Sequence, residues 1–339
     1  MAFIITVAIV KIVITIITTV TIVITIIITF VLTTIIIITQ TTKSWPHSKK
    51  VGSYLIGSTL GQGAFAKVKM GLHVYTAKKV AVKIIDKKTC IENSYASKNM
   101  KREAKIWKKI DHRNVVKLLD VLETNNGYYL ITELCGGSDL KSVISSRICG
   151  CLDESESSVY LYDILSAVSY MHGLGIIHRD LKIDNILLDG RGNVKLIDFG
   201  LSCFDSSQSH CRTFCGSPAY AAPELLANQS YGKKVDVWSI GVNMYVMLTG
   251  NLPFTVHPFS VNSIYEKMTN QGMNVIEISI SSGQWDLLLK LLAVDPDRRV
   301  TADEALQHDW FSKISRKSRE LFLFCCGDLD LCSFYSLLI

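Results

Sequence analysis

His178-Arg179-Asp180-Leu181-Lys182-Ile183-Asp184-Asn185, followed thirteen residues after Asn185 by Asp198-Phe199-Gly200, concentrates carboxylates, a carboxamide and an ammonium in one short span of chain. Phosphoryl transfer asks little more of a protein than one group to orient the attacking hydroxyl, hard oxygen ligands for Mg²⁺ and a cation on the phosphate. Asp180 suits the hydroxyl proton, Lys182 the γ-phosphate, and Asn185 and Asp198 the metal. Either piece alone is a moderate signal. Their order and spacing together are hard to reconcile with coincidence.

The two pieces together resemble the catalytic-loop and metal-binding motifs of protein kinases. The resemblance implies an α+β, bilobal fold. A small antiparallel β-sheet lobe with one helix would sit above a larger, mainly α-helical lobe, with ATP and Mg²⁺ as cofactors. The expected layout is an Ile/Thr/Val-rich low-complexity segment over 1–42, a basic linker over 43–53, and a kinase domain over 54–311. Within that domain 54–134 would be the small lobe and 135–311 the large one. A tail covers 312–339.

In the small lobe, a strand from Tyr54 to Gly57 leads into Leu60-Gly61-Gln62-Gly63-Ala64-Phe65-Ala66-Lys67-Val68. Glycines let a backbone turn tightly and bring bare N–H groups to phosphate oxygens. Ala66 stands where the pattern has its third glycine. Fifteen residues after Val68 comes Lys83, in Val80-Ala81-Val82-Lys83. By resemblance, Leu60 to Ala66, Val68 and Ala81 contact the nucleotide, and Lys83 contacts its α/β-phosphates. A helix is expected from Lys98 to Ile110 on its Lys, Arg, Glu and Ala content. There Glu103 would partner Lys83, with Glu92 as runner-up. Trp107 stands where kinases usually carry Leu; it reads as core packing that could alter how this helix docks. Tyr128 to Cys135 looks like the last strand and the hinge. The resemblance makes Thr132 the gatekeeper, gives adenine to the backbone of Glu133 and Cys135, and gives the ribose to Asp139.

In the large lobe, Leu161, Ile164, Leu165, Val168 and Met171 fall at helical spacing and read as core. His178 reads as a buried, hydrogen-bonded packing residue. Arg179, beside Asp180, would pair with a phosphate on the loop from Asp198 to Glu224. Thr213 is the regulatory site that the resemblance implies; Ser206, Ser207 and Ser209 are lesser sites. Ser217 would line the substrate pocket and bridge Asp180 and Lys182. Glu224 needs a buried cation, which by resemblance is Arg299, with Arg298 as the alternative. Asp236 opens a helix that is apolar almost all round, hence central; by resemblance it would hold the catalytic-loop backbone.

The motif set is similar to the calcium/calmodulin-dependent and AMP-activated group of serine/threonine protein kinases, over about Val51 to Phe311. Lys182 favours Ser/Thr acceptors. Asp139 and Asp184 are acidic where basophilic kinases hold an arginine three residues before the target, so basic protein substrates are expected. An upstream activating kinase is expected too. Cys211, two before Thr213, departs from the Leu of AMP-activated relatives and leaves that activator's identity open.

With 339 residues and a net charge of only +6, the chain can build a sizeable core and does not look like a nucleic-acid binder. Cys149-x-Cys151 and Cys211-x₃-Cys215 lack paired zinc spacing, so reduced thiols are the default reading. Residues 12–39 form an uncharged run longer than the roughly 20 residues needed to span a bilayer. The lysines after it would place the catalytic domain in the cytoplasm. Against a membrane anchor stand the β-branched residues, which favour strands in water, and single-base kinship among Ile, Thr and Val codons, which fits a translated repeat. In the tail, Cys325-Cys326 after a basic run suits palmitoylation, covering of a groove, or a truncated terminus equally.

Overall fold

The computed structural model describes residues 2–63, 66–87, 94–205, 216–275 and 280–313. They fall into two compact units that part between Ile84 and Ile85.

The first unit opens with helix α1 (Ala2–Ser44). Its composition favours strands in water, and its threonines show how the helix accommodates them. Thr19, Thr21, Thr25, Thr29 and Thr33 each donate a hydroxyl to the carbonyl four residues earlier, at 2.8 Å. Those hydroxyls are satisfied inside the helix, leaving methyl and larger apolar groups outward. Ile14–Ser44 is long and apolar enough to cross a membrane, and none of it is buried in the fold. The chain then turns through Trp45 and Pro46 onto a sheet. A Cβ at Gly57 would lie 3.2 Å from both Pro46 O and Trp45 Nε1.

Strands β1 (Lys49–Val51), β2 (Tyr54–Gln62), β3 (Lys67–His73) and β4 (Lys79–Asp86) pair antiparallel in chain order. Gly71 is required at the centre, since a Cβ there would stand 2.9 Å from the Cγ2 atoms of both Val80 and Val82. The β2–β3 register shifts between Ile56 and Thr59 and again before Gly61. The glycine turn that follows closes with Gly63 N–H donating to Ala66 O at 2.9 Å.

The second unit begins with α2 (Ser94–Trp107) and the antiparallel hairpin β5 (Leu118–Glu123) and β6 (Gly127–Glu133). Helix α2 stops at Trp107, short of the expected Ile110, because Lys109 and Ile110 bond the carbonyls only three residues back, tightening the turn. Next come α3 (Leu140–Ser146) and α4 (Glu154–Gly173). Helix α4 starts at Glu154 because the Asp153 side chain caps it, accepting Glu156 N–H at 2.8 Å. Strands β7 (Ile176–Ile177), β8 (Ile186–Leu188), β9 (Val194–Leu196) and β10 (Cys203–Phe204) form two small pairs, β8 with β9 and β7 with β10. A 3₁₀ turn, Ile183–Asn185, precedes β8.

Helices α5 (Pro223–Leu226), α6 (Lys234–Thr249), α7 (Val261–Glu266), α8 (Ser282–Leu291) and α9 (Ala302–Leu306) complete the unit. Helix α6 is buried continuously from Val235 to Leu248. Helix α4 packs on it through a core in which Leu161, Ile164, Leu165 and Val168 are fully buried. Close approach at the α8 end needs Gly241, where a Cβ would meet Leu292 at 2.8 Å. The expected pair of Glu224 is Arg299, bidentate at 2.7 and 3.0 Å. Arg299 also donates to Ala293 O and Lys234 O at 2.9 and 2.8 Å. The fold class is the α+β arrangement expected from the motifs.

Candidate active site

The site is built on α6. Asp236 is wholly buried, so its charge survives only if its oxygens are filled. Oδ2 accepts His178 N–H at 2.8 Å and meets His172 Nε2 at 2.9 Å, while Oδ1 accepts Arg179 N–H at 2.8 Å. Burial acts most strongly on this carboxyl and opposes its charge. The hydrogen bond and charge of His172, the nearby His178 and the Arg179 N–H together outweigh burial and hold the carboxyl below the usual carboxylate range. Two turns along, Asn243 Nδ2 donates to Leu181 O at 3.1 Å. The backbone of residues 178–181 is thereby fixed from beneath. Arg179 sits at φ 69°, a left-handed conformation that costs energy for a residue with a side chain. The bond to Asp236 holds it there.

On this base the predicted groups converge. Lys182 Nζ lies 3.2 Å from Asp180 Oδ2. Asn185 Nδ2 donates to the same oxygen at 2.8 Å and to Asp180 O at 2.9 Å. Ile197 N–H donates to Asn185 O at 3.1 Å, so the residue preceding Asp198 is tied to Asn185. Asp198, at φ 63°, accepts Gly200 N–H at 3.3 Å. Phe199 is fully buried between Trp107 and His178, with ring centroids 5.0 and 5.1 Å away. His178 is thus the packing residue expected. Trp107 is packed as expected, and its indole N–H also donates to Val116 O at 2.6 Å. Glu103 is buried beside the same segment: a Cβ on Gly200 would stand 3.5 Å from Glu103 Oε2 and 3.3 Å from Asp198 Oδ1.

Gly216, at φ 93°, brings its chain so close that a Cβ would meet Arg179 O at 2.7 Å. Ser217 follows and lines a small cavity with Asp180, Leu181, Tyr220 and Ser239. Among the described residues the Ser217 hydroxyl makes no hydrogen bond to Asp180 or Lys182. Burial, then the charge of Asp184, pushes the Tyr220 phenol up to about 12. Asp184 itself is exposed and receives Lys141 Nζ at 2.9 Å. Asp139 caps α3, accepting Ser142 N–H and hydroxyl, both at 2.7 Å. The Arg179 guanidinium donates to Leu201 O at 2.5 Å and to the Tyr231 hydroxyl at 3.1 Å. Thr213, Ser206, Ser207, Ser209, Cys211 and Glu92 lie outside the described residues.

Glu133 accepts Lys195 Nζ at 2.6 Å and Lys117 N–H at 3.0 Å. Thr132 donates its hydroxyl to Glu133 O at 3.1 Å. Burial, seconded by the charge of Glu133, pushes the Cys135 thiol up to about 11. In the first unit, Val68 faces Lys83 and Met70 faces Ala81 across β3 and β4. Leu60, Gly61, Gln62 and Gly63 are exposed and Ala66 half-buried, while Ala64 and Phe65 are outside the described residues.

Sequence reasoning missed His172, Asn243, Lys141, Lys195 and Tyr231. Asn243 carried a usable signal: a carboxamide in the middle of an otherwise apolar, buried helix must find a partner. The others are ordinary polar residues until the fold brings them in.

The family model described as protein kinase domain matches residues 54–311. The chain is 50% identical over 275 residues to the hormonally up-regulated neu tumor-associated kinase of Mus musculus, covering 80% of this chain and 38% of that protein. It is 50% identical over 276 residues to homolog A from Xenopus laevis, covering 80% and 40%. It is 40% identical over 260 residues to the SNF1-related protein kinase catalytic subunit alpha KIN12 of Arabidopsis thaliana, covering 77% and 51%. The chain therefore spans about two-fifths of the length of the first two relatives and about half of the third. With the match over 54–311 and these identities, the chain belongs to the protein kinase family.

Proposed function

We propose that this chain transfers the γ-phosphate of ATP to serine or threonine hydroxyls of protein substrates. The observation that carries the reading is the Asp180 carboxylate, held by Asn185 and Lys182 over a backbone that Asp236 fixes. Asp180 orients the accepting hydroxyl and takes its proton; Lys182 keeps a positive charge beside the transferred group. The residues present suit Mg²⁺. Asn185 uses its Nδ2 on Asp180, which leaves its Oδ1 for a cation, and Asp198 adds carboxylate oxygens, the hard donors this metal takes. ATP and Mg²⁺, the cofactors general to the family, supply the phosphoryl group and neutralise its charge when bound. Nucleotide contacts by Leu60 to Ala66, Val68, Ala81, Lys83, Glu133 and Cys135, a ribose contact by Asp139, and the role of Glu103 belong to the same proposal.

Thr213 is the activating phosphosite in this reading, with Arg179 as the cation that would turn from Leu201 O and Tyr231 to receive it, and a separate upstream kinase as donor. Ser217 and Asp184 face the substrate. The catalytic domain is cytoplasmic. Helix α1 supports a membrane anchor as well, because its threonine hydroxyls are satisfied internally and its exposed face is apolar. Incubating the full chain with Mg-[γ-³²P]ATP and a mixed peptide pool, then analysing phosphoamino acids, tests the reading. Label on serine or threonine supports it. Nucleotide binding without transfer, even after Thr213 is phosphorylated, would make the chain a pseudokinase scaffold.

A further inference from the structure

The connection between α3 and α4 carries two thiols that the phosphoryl-transfer site does not use. Arg147 ends α3, and Asp153 caps α4. Between them Cys149-Gly150-Cys151 makes a turn that brings Cys151 Sγ to 3.2 Å from Cys149 Sγ. Gly150 takes φ 64°, which lets residues only two apart turn their side chains to the same side. The turn is also fixed in place. Leu152 N–H donates to Met247 O at 2.8 Å, and a Cβ on Gly250 would strike Gly150 O at 2.3 Å. Arg147 is paired with the buried Glu156. Cys149 is exposed and Cys151 half-buried, so an oxidant can reach the first sulfur while the second waits within reach. Cys135 and Cys203, the other described cysteines, are half-buried and buried respectively.

We propose that Cys149 and Cys151 form a dithiol modification site that hydrogen peroxide converts reversibly into an intramolecular disulfide. The Cys149 thiolate attacks one peroxide oxygen; an S–O bond forms, the O–O bond breaks, and hydroxide leaves and takes a proton to become water. Cys151 then attacks Cys149 Sγ; the S–S bond forms, the S–O bond breaks, and the hydroxyl leaves with the Cys151 proton as a second water. In total, two electrons and two protons pass from the thiols to the peroxide. The hydrogen bond from Cys151, followed by backbone bonding at the turn, lowers the Cys149 thiol below its usual range, in the direction that favours attack.

The geometry also sets the contrast to be measured. Cys135 is pushed from 9.0 to about 11. At neutral pH that leaves it roughly 100-fold less thiolate than an ordinary cysteine, and the higher nucleophilicity of a more basic thiolate returns about ten-fold of the loss. Cys149 is therefore expected to oxidise at least about ten-fold faster than Cys135.

The test is a peroxide titration of the reduced full chain, followed by alkylation, trypsin digestion and mass spectrometry. Cleavage after Arg147 and Arg179 releases one peptide, 148–179, whose only cysteines are Cys149 and Cys151. The expected product is that peptide lacking two hydrogens and carrying no alkyl group, restored to the doubly alkylated form by dithiothreitol. In Cys149→Ser the two-hydrogen loss should vanish. Retention of both alkyl groups on 148–179 at a dose that oxidises Cys135 would overturn the proposal. So would a bond only to other chains, seen as disulfide-linked dimers without the internal product.

Discussion

Replacing Asp236 should unfasten the loop that carries Asp180. In Asp236→Ala the His178 and Arg179 backbone N–H groups, both bonded at 2.8 Å, are left buried without acceptors, and His172 loses its partner at 2.9 Å. An orphaned buried donor costs about 1–3 kcal/mol. The expected loss is therefore about 3–5 kcal/mol, in the range for breaking a buried ion pair, against a total stability of about 5–15 kcal/mol. Asp236→Asn should be milder. Its one carbonyl oxygen can keep the His178 side, but its amide then faces the Arg179 N–H, and relief of the left-handed strain at Arg179 offsets about 1 kcal/mol. A net loss of about 1–2 kcal/mol follows. Urea midpoints of the full chain, read by circular dichroism, give both values. The pH dependence has a definite sign. A carboxyl held below the usual 3.8 contributes stability that is complete above the ordinary aspartate range and is lost as pH falls through its folded value. The wild-type chain should accordingly lose more stability than Asp236→Asn on acidification from about pH 5 to 3. Both variants lying within about 0.5 kcal/mol of wild type, the spread of ordinary surface substitutions, with unchanged acid limbs, would refute the reasoning.

Trp107→Phe, which keeps a ring near Phe199 but abandons the bond to Val116 O at 2.6 Å, should cost about 1–2 kcal/mol in the same urea assay; no change would mean the indole bond contributes nothing. Glu224→Gln leaves Arg299 buried without its bidentate carboxylate and should cost about 3–5 kcal/mol, checked by the shift in urea midpoint. Lys141→Ala frees Asp184 from its partner at 2.9 Å. It should raise discrimination for peptides with arginine three residues before the target by roughly two- to five-fold, the worth of an exposed ion pair, measured as a ratio of kcat/KM. Removing residues 1–42 should abolish co-sedimentation with phosphatidylcholine vesicles, whereas equal sedimentation of both chains would dismiss the anchor.

Much of the site could be read from the chain because its residues lie close together in sequence. Asp180, Lys182 and Asn185 lie within a few residues of one another, and the β8–β9 hairpin returns the chain so that Ile197 bonds Asn185, which brings Asp198 back beside them. Asp236 and Arg299 were legible for another reason: the resemblance to kinases assigns each a partner, and the fold places those partners at 2.7–3.0 Å. Lys141 and Lys195 carried no such mark, since a solvated lysine and one that crosses to a carboxylate look alike before folding. The helix of the first forty residues ran against β-propensity. Propensity in water is set by side-chain packing on a half-buried sheet, and it takes no account of threonines that bond their own helix carbonyls, as Thr21 and Thr25 do at 2.8 Å. The end of α2 was misjudged for a local reason, the tight turn after Trp107, which composition does not encode.

Phosphoryl transfer by the full chain, measured beside Asp180→Asn with Mg-ATP affinity determined for both, tests the central claim most directly. The account predicts that the variant binds nucleotide as tightly as wild type while its transfer rate falls by about 10²–10⁴-fold, the worth of a positioned general base. Equal transfer rates in the two chains would contradict it.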